Sequence, residues 1–182
     1  MSRVDLSKFN NSWYSPGSKI KILAWYFINI FVFKTMFPIP SNIKVKVLRI
    51  FGAKVGVGVV IKPNVSIKYP WLLSMGDNSW VGEDVWIDNL AFVRIGNNVC
   101  LSQGCYLLTG SHDYSLDTFD LLVKEIVLED GSWVGARATV CPGVKLGTHS
   151  VLAVGSVATK DVDEYGIYQG NPAVKKRDRV IK

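Results

Sequence analysis

Histidine and cysteine are both scarce in this chain, which has two histidines and three cysteines among 182 residues. Cys100, Cys105 and Cys141 are odd in number and form no CxxC pair, so neither a disulfide framework nor a cysteine-based zinc site is indicated. A cleavable leader is not recognisable either, because the N-terminal stretch MSRVDLSKFNNSWYS is polar and lacks an apolar core. We therefore expect a cytoplasmic protein with reduced thiols.

No apolar run in the sequence is long enough to cross a bilayer. The strongest, LAWYFINIFVF at 23–33, has 11 residues, whereas a membrane-spanning helix needs about 20. It predicts a helix that ends before Pro38 and Pro40, within an N-terminal segment covering residues 1–44. The helix could dock on the rest of the protein, or residues 19–37 could make a peripheral contact with the inner face of the cytoplasmic membrane.

The net charge of +6 suggests an anionic partner, which could be nucleic acid, a phosphorylated small molecule or a membrane surface. No zinc-finger or RNA-binding signature accompanies the basic residues. We therefore expect no nucleic-acid partner.

What the chain does have is a regular repeat. Three stretches align on glycine with starts 20 residues apart, namely VGVGVV (55–60), MGDNSW (75–80) and IGNNVC (95–100). Within and beyond them, an aliphatic residue or methionine recurs every six residues, with one interruption. These thirteen positions are Val55, Ile61, Ile67, Met75, Val81, Ile87, Ile95, Leu101, Leu128, Val134, Val140, Leu146 and Leu152.

Four residues after each of these positions lies a second regular one, which is small or β-branched in twelve of thirteen cases, Trp71 being the exception. A helix would need apolar residues at alternating spacings of three and four. Repeats of six with Gly, Asn and Asp between them instead indicate short strands joined by tight turns. Three hexads would form one triangular coil of 18 residues, with the two extra residues per 20 as a bulge at a corner. The sequence thus predicts an all-β protein, a parallel β-helix over residues 45–182.

The same residues resemble the hexapeptide-repeat acyltransferases. LRIFGAKVG (48–56), IKYPWLLSMGD (67–77), YLLTGSHD (106–113) and GNPAV (170–174) are similar to the colanic acid biosynthesis acetyltransferases, a branch related to galactoside and maltose O-acetyltransferases. The resemblance covers roughly residues 45–180. It implies a left-handed β-helix, against the usual handedness of crossover connections, and a homotrimer with active sites between subunits. It also implies acetyl-CoA as co-substrate, no metal, and a short C-terminal tail or helix at 163–182.

His112 stands where the repeat stops. The interruption between Leu107 and Leu128 predicts a loop over 109–127 that leaves the wall of the β-helix, and such loops are usually functional. By itself His112 could be a turn residue, but in the resembled family the matching histidine is the general base. A neutral imidazole can remove the proton of a sugar hydroxyl as that hydroxyl attacks a thioester, so no covalent acyl-enzyme is needed.

Three further residues are candidates for contact with the acceptor. Asp88 falls where galactoside-type relatives carry an acceptor-contacting Asn, and it could orient His112, hold acceptor hydroxyls, or simply fill a turn. Asp113 and Tyr114 are candidates on the loop.

Residues 130–162 resemble the coils along which coenzyme A lies in this family. The resemblance assigns Trp133 to the flank of the pantetheine arm and the backbone amides near Ala136 and Val154 to hydrogen bonds with it. Lys160, Lys176 and Arg177 match basic residues near the phosphates, where cations suit an anionic cofactor; alternatively, the last two belong to a solvated basic tail. His149, in GTHSV, is expected to be structural.

Rival functions follow from the same fold. Some hexapeptide β-helices are zinc carbonic anhydrases, which need three histidines on the metal, whereas this chain has two and no HxxxH pair. A catalytically silent β-helix scaffold is a second alternative, and acetylation of a free sugar or another small acceptor is a third. The function that we predict is transfer of acetyl from acetyl-CoA to a sugar hydroxyl in exopolysaccharide or capsule biosynthesis. A lipid-linked glycan acceptor would give the apolar N-terminal segment a purpose.

Overall fold

The computed structural model describes residues 3–182. Its N-terminal part contains a short 3-10 turn at Leu6–Lys8 and two helices, α1 at Lys19–Ile28, which continues as a π-helical turn at Asn29–Phe33, and α2 at Ser41–Ile50. The side chain of Ser18 caps α1 by accepting a hydrogen bond from the amide of Lys21. Helix α2 spans the boundary between residues 44 and 45 that we drew between the two parts of the chain.

Short strands make up the remainder. They are β1 Lys54–Val55, β2 Val60–Ile61, β3 Ser66–Ile67, β4 Leu73–Met75, β5 Trp80–Val81, β6 Trp86–Asp88, β7 Val93–Ile95, β8 Cys100–Leu101, β9 Tyr106–Leu108, β10 Gly110–His112, β11 Leu121–Val123, β12 Ile126–Leu128, β13 Trp133–Val134, β14 Thr139–Val140, β15 Lys145–Leu146, β16 Val151–Leu152, β17 Val157–Ala158, β18 Gly166–Gly170 and β19 Ala173–Asp178.

Three sheets form the walls of the β-helix. The first wall has the order β1-β4-β7-β12-β15, the second β2-β5-β8-β13-β16-β18-β19, and the third β3-β6-β9-β14-β17. Neighbouring strands are parallel except for β18 and β19, and each coil visits the three walls in turn. The predicted parallel β-helix is confirmed.

The core is built from the residues that the six-residue repeat singled out. All thirteen positions are buried, and the most exposed of them, Val55, has 8% of its surface accessible. Leu107 and Ala158 extend the series by one position at the end of each run. Burying one such side chain in every strand supplies the apolar area that holds a narrow fold together, at roughly 1.5–3 kcal/mol for each large aliphatic side chain.

A ladder of side chains holds successive coils at the corner between the first and second walls. Asp77 Oδ1 accepts from the amide of Val57, Asn97 Oδ1 accepts from the amide of Asp77, and Asp130 Oδ1 accepts from the amide of Asn97, each at 2.8 Å. Turn residues such as Asn78 and Asn98 have φ of 55°, a left-handed conformation that Asn tolerates better than most residues. The Gly, Asn and Asp of the repeat therefore act as turn and coil-to-coil contacts.

The residues in excess of the 18-residue coil all leave the wall at the corner between the third and first walls. The connections β3–β4 and β6–β7 lie there, as does the long interruption. That interruption is ordered as an antiparallel hairpin, in which β10 pairs with β11 and His112 lies opposite Leu121. The expected bulges at one corner are confirmed.

The C-terminal segment corrects one expectation. Instead of a tail or helix, residues 166–178 form an antiparallel hairpin of β18 and β19. Ile167 and Tyr168 pair with Val151 and Leu152 of β16, so the segment extends the second wall by one more strand. The open edge of that wall offers backbone hydrogen bonds that a helix at the same place would leave unused.

Helix α1 docks on the first coils. Trp25 and Phe33 are 2% and 0% exposed, and Trp25 Nε1 donates to the carbonyl of Ile67 at 2.8 Å. Next to it, the Nζ of buried Lys44 on α2 donates to the carbonyl of Lys62 at 2.7 Å, and burial lowers the pKa of this lysine. Within residues 3–182, no helix has the length and apolar character that a membrane span requires.

Candidate active site

His112 is held by the turn of its own hairpin. Its Nδ1 lies 2.9 Å from the carbonyl oxygen of Phe119, and its half-buried imidazole stacks on the Phe119 ring at 4.3 Å with an angle of 8° between the planes. Because a carbonyl only accepts hydrogen bonds, this contact places the proton on Nδ1 and leaves the lone pair on Nε2. This is the tautomer that a general base needs.

The backbone of Phe119 is in an uncommon conformation. Its φ is 53°, and for a residue other than glycine the left-handed region costs roughly 1–2 kcal/mol. Such conformations persist where the surroundings enforce them, often at functional sites. Nothing in the sequence marks Phe119, since phenylalanine is not a typical left-handed turn residue.

An N-terminal strap, residues 5–16, lies across the hairpin and was not predicted. The amide of Asp5 donates to the carbonyl of Asp117 at 2.9 Å, and Lys8 Nζ lies 2.9 Å from the Asp117 carboxylate, whose pKa it lowers by hydrogen bond and charge. The ring of Phe9 lies 5.7 Å from the imidazole of His112. Further along the strap, the hydroxyl of Tyr14 donates to the carbonyl of Leu90 at 2.6 Å. The strap closes one side of the space around the histidine.

That space is a cleft of about 400 Å³, which we call the base cleft. It is lined by an imidazole, an ammonium group, phenol rings and an amide, from His112, Lys68, Tyr14, Tyr69 and Asn11 among others. A few polar groups converging in a cleft of this size are typical of a small-molecule site. Hydroxyl, amide and ammonium groups are also the partners that sugar hydroxyls require.

Asp88 lies beside this cleft and makes no contact with His112. Its Oδ1 lies 2.9 Å from Lys68 Nζ, in an ion pair whose angle is not that of a hydrogen bond. Its Oδ2 accepts from the hydroxyl of Tyr106 at 3.4 Å. Burial first and then the charge of Asp88 raise the pKa of Tyr106 to about 12. The hydrogen-bond partner of the imidazole in residues 3–182 is the carbonyl of Phe119 and not Asp88.

The two loop candidates lie at the hairpin turn. Asp113 Oδ1 accepts from both the amide and the hydroxyl of Ser115, and these hydrogen bonds lower the pKa of Asp113. This is the geometry of an Asx turn, which is a structural role. Tyr114 is 86% exposed, and neither residue lines the base cleft.

The donor-site candidates lie at a different corner, between the second and third walls. Trp133 is exposed on the second wall, and its Nε1 donates to Ser102 Oγ on the neighbouring coil at 2.9 Å. Ala136 and Val154 occupy matching turns of adjacent coils, and in the hydrogen bonds of residues 3–182 neither of their amides has an acceptor. Two unused amides side by side suit a ligand that carries amide carbonyls.

The remaining basic candidates are exposed. Lys160 follows β17, and Lys176 and Arg177 lie on β19. His149, by contrast, has φ of 57° in a turn, and its carbonyl accepts from Arg179 at 3.1 Å, as expected for a structural residue. No cluster of three or more potential metal-ligating side chains occurs in the part of the chain that the structure describes.

No protein-family model matches the chain. It is 37% identical over 177 residues to a putative colanic acid biosynthesis acetyltransferase, WcaF, of Escherichia coli K12, with 97% of both chains covered. The fold matches a hexapeptide-repeat acetyltransferase of Vibrio cholerae in complex with acetyl-CoA, with a TM-score of 0.81 and 20% identity over 90% of this chain and 89% of that one. It also matches a maltose O-acetyltransferase of Clostridium difficile, with a TM-score of 0.76 and 21% identity over 90% of each chain.

A parallel β-helix of six-residue repeats, with a histidine on a hairpin at one corner and unused amides at another, defines a protein of the hexapeptide-repeat class. With 37% identity over nearly its full length to the relative in E. coli, the chain belongs to the hexapeptide-repeat acetyltransferases, in the branch of the colanic acid biosynthesis acetyltransferases.

Proposed function

We propose that this protein transfers the acetyl group of acetyl-CoA directly to a sugar hydroxyl during exopolysaccharide or capsule biosynthesis. The observation that carries the proposal is the contact between His112 Nδ1 and the carbonyl of Phe119, which leaves Nε2 free to accept a proton. The relative in E. coli supports the polysaccharide context by its description, and the Vibrio cholerae structure supports the donor by its bound acetyl-CoA.

The chemical step needs only a base. Nε2 of His112 takes the proton of the acceptor hydroxyl while its oxygen attacks the thioester carbonyl carbon. The tetrahedral intermediate then collapses, the carbon–sulfur bond breaks, and the leaving thiolate of coenzyme A takes the proton from the imidazolium. Deprotonating the hydroxyl in advance would be unfavourable at neutral pH, which is why a base positioned on the reacting oxygen accelerates the reaction.

We assign the acetyl-CoA donor to the corner between the second and third walls. The amides of Ala136 and Val154 would donate to the pantetheine carbonyls, and Trp133 would flank the arm. Lys160, Lys176 and Arg177 would contact the phosphates, whose charge an exposed cation pairs well with. Metal chemistry forms no part of this mechanism.

A homotrimer with active sites between subunits would bring the base of one chain to the donor corner of another. In one chain, His112 and the two unused amides lie on opposite edges of the third wall. A single chain therefore does not bring its own base to its own donor corner, the corner between the second and third walls. A neighbouring copy that presents its second–third corner to this hairpin would complete the site.

For the acceptor, we assign the base cleft, with Asp88 holding a hydroxyl together with Lys68. Asp113 and Tyr114 would reach an acceptor only beyond the cleft. We further propose that the acceptor is a glycan carried on a lipid, at the inner face of the cytoplasmic membrane, with residues 19–37 in contact with that membrane.

The function is tested by incubating the protein with acetyl-CoA and sugar acceptors and following release of the coenzyme A thiol. Release that depends on a glycan acceptor, with an O-acetyl ester in the product, is the expected result. A catalytically silent scaffold would give no release above the uncatalysed rate. Preference for a free monosaccharide over an oligosaccharide would favour the small-acceptor alternative.

A further inference from the structure

Helix α1 has two apolar sides, and docking uses only one of them. Trp25 and Phe33 are buried against the β-helix, whereas Ile20, Leu23, Phe27 and Phe31 are 83%, 59%, 52% and 71% exposed. Spacings of three and four residues place these side chains on one face of the helix and its π-helical extension. The two alternatives that we drew from the sequence, docking on the protein or contact with a membrane, therefore do not compete for the same surface.

Exposed apolar side chains also follow the end of the helix. Met36 and Phe37 are 74% and 70% exposed. We call the six residues Ile20, Leu23, Phe27, Phe31, Met36 and Phe37 the outer patch. Soluble proteins rarely leave contiguous apolar patches of large side chains in water unless they bind another surface.

The sequence segment that carries the outer patch has charged side chains of one sign only. Residues 6–76 contain ten of the chain's 21 lysines and arginines and none of its 15 aspartates and glutamates, so the remainder of the chain carries a net charge of −4. Lys19 and Lys34, which bracket the helix, are both exposed. Exposed phenylalanines in a basic segment suit the headgroup zone of a membrane that contains anionic lipids.

The helix that carries the outer patch also borders the proposed acceptor site. A groove of about 260 Å³ lies beneath α1, between Tyr26 and Lys34 on the helical side and Lys68, Tyr69 and Trp86 on the β-helix. Lys68 and Tyr69 line the base cleft as well. Helix α1 and the base cleft are therefore joined through Lys68 and Tyr69.

We infer that the outer patch docks on the surface of an anionic lipid bilayer and so places the base cleft at the level of the headgroups. The patch would bury its phenylalanines at the boundary between headgroups and acyl chains, and the lysines would pair with lipid phosphates. A second copy of the same face is a poor occupant, because two surfaces with this excess of positive charge repel each other. The inference rests on the membrane contact proposed above for residues 19–37 and names the surface that makes it. Its consequence is that a glycan on a lipid phosphate can reach the cleft without leaving the membrane.

The test is co-sedimentation of the full chain with vesicles of phosphatidylcholine alone and with vesicles that also contain phosphatidylglycerol. We expect binding to the anionic vesicles that weakens as salt is raised, and binding to phosphatidylcholine that is weaker by about tenfold. The triple variant Leu23→Gln, Phe27→Gln, Phe31→Gln should lose about tenfold or more of the binding to anionic vesicles. A matched control, Val57→Gln, Val180→Gln, Ile181→Gln, changes three equally exposed apolar side chains elsewhere and should bind as the wild type does.

Three results would overturn the inference: equal binding to both vesicle types, no binding to either, or unchanged binding by the helix variant. If the wild type fails to bind and the helix variant changes the oligomeric state, the patch is a subunit interface. Acetyl transfer to a water-soluble acceptor separates this outcome from failure of the proposed function. Both triple variants should retain that transfer within about twofold, because no substituted side chain lies in the base cleft or at the corner between the second and third walls.

Discussion

The imidazole of His112 and the backbone carbonyl of Phe119 form a pair joined at 2.9 Å within one hairpin, and this pair fixes the tautomer of the histidine. The bond is local, seven residues apart in sequence. It therefore needs no neighbouring subunit to form, even if a neighbouring subunit is needed for the donor.

Replacing His112 by Ala should lower kcat by about 10²–10⁴-fold, the usual contribution of a general base, with little change in the KM for acetyl-CoA. Thiol release under saturating acceptor is the measurement. His149→Ala is the matched control, since it removes the chain's other histidine from a structural turn and should leave kcat nearly unchanged. Full turnover by His112→Ala would refute the mechanism.

Phe119 should behave as a positioning residue. Val is β-branched and disfavours the positive φ, so Phe119→Val should move the carbonyl away from Nδ1 and lower kcat at least about tenfold. Phe119→Gly keeps that conformation at no steric cost and should retain more activity, although it loses the stacked ring. The distinguishing measurement is kcat at saturating concentrations of both substrates. A larger loss in Phe119→Val than in Phe119→Gly is expected, and equal losses would remove the carbonyl from the mechanism.

Asp88→Asn should raise the KM for the acceptor several-fold and leave the KM for acetyl-CoA unchanged. The reason is that the carboxylate of Asp88 contacts Lys68 and Tyr106 beside the base cleft, away from the donor corner. The same change should lower the pKa of Tyr106 from about 12, since the negative charge that opposes phenolate formation is gone. NMR titration of the tyrosine ring carbons measures this shift. An unchanged pKa of Tyr106 together with an unchanged KM for the acceptor would mean that Asp88 is only a turn residue.

The amide of Ala136 can be removed without disturbing its turn. The following residue, Arg137, has φ of 55°, and at the same corner of the first coil Pro63 precedes Asn64, also at 55°. Proline suits the first central position of such a turn, so Ala136→Pro should fold normally and raise the KM for acetyl-CoA about five- to tenfold through the lost hydrogen bond. Ala136→Ser, which keeps the amide, is the control. Equal KM values in the two variants would exclude the amide from donor binding.

Sharing of sites between subunits can be tested by mixing. His112→Ala subunits lack the base, and subunits that combine Ala136→Pro with Val154→Pro lack both donor amides. If a base from one chain serves the donor corner of another, mixed oligomers assembled after dissociation should recover activity above that of either parent when acetyl-CoA is kept below the raised KM, at up to about one site in three for a trimer. No recovery in verified mixed oligomers would mean that each chain completes its own site.

The β-helix could be predicted because every hexad repeats the same local requirement, an aliphatic residue inward and a turn former at the corner. The assignment of the donor residues came from the resemblance to the acyltransferases and not from the register. The strap was not predictable, since contacts such as that of Asp5 with Asp117 join residues more than a hundred positions apart and use side chains that are common on any surface. The conformation of Phe119 was equally hidden, because it is imposed by the hairpin around it rather than by its own preference.

The C-terminal hairpin shows a related limit. Residues 166–178 carry no hexad, and their strand structure arises from the open edge that β16 presents to them. For helix α1, the sequence left docking and membrane contact as alternatives, whereas the structure buries one apolar face and leaves another exposed.

All surplus length in the coils emerges at the third–first corner, while coil-to-coil spacing elsewhere stays fixed at the register of the hexads. Insertions and deletions at that one edge leave the stacking of the walls untouched. With the acceptor and the donor placed as proposed above, acceptor preference can diverge in evolution through the length and sequence of a single edge, while the second–third corner keeps the same contacts with the donor. Homologues with different sugars should accordingly differ most between residues 109 and 127 and least along the second wall.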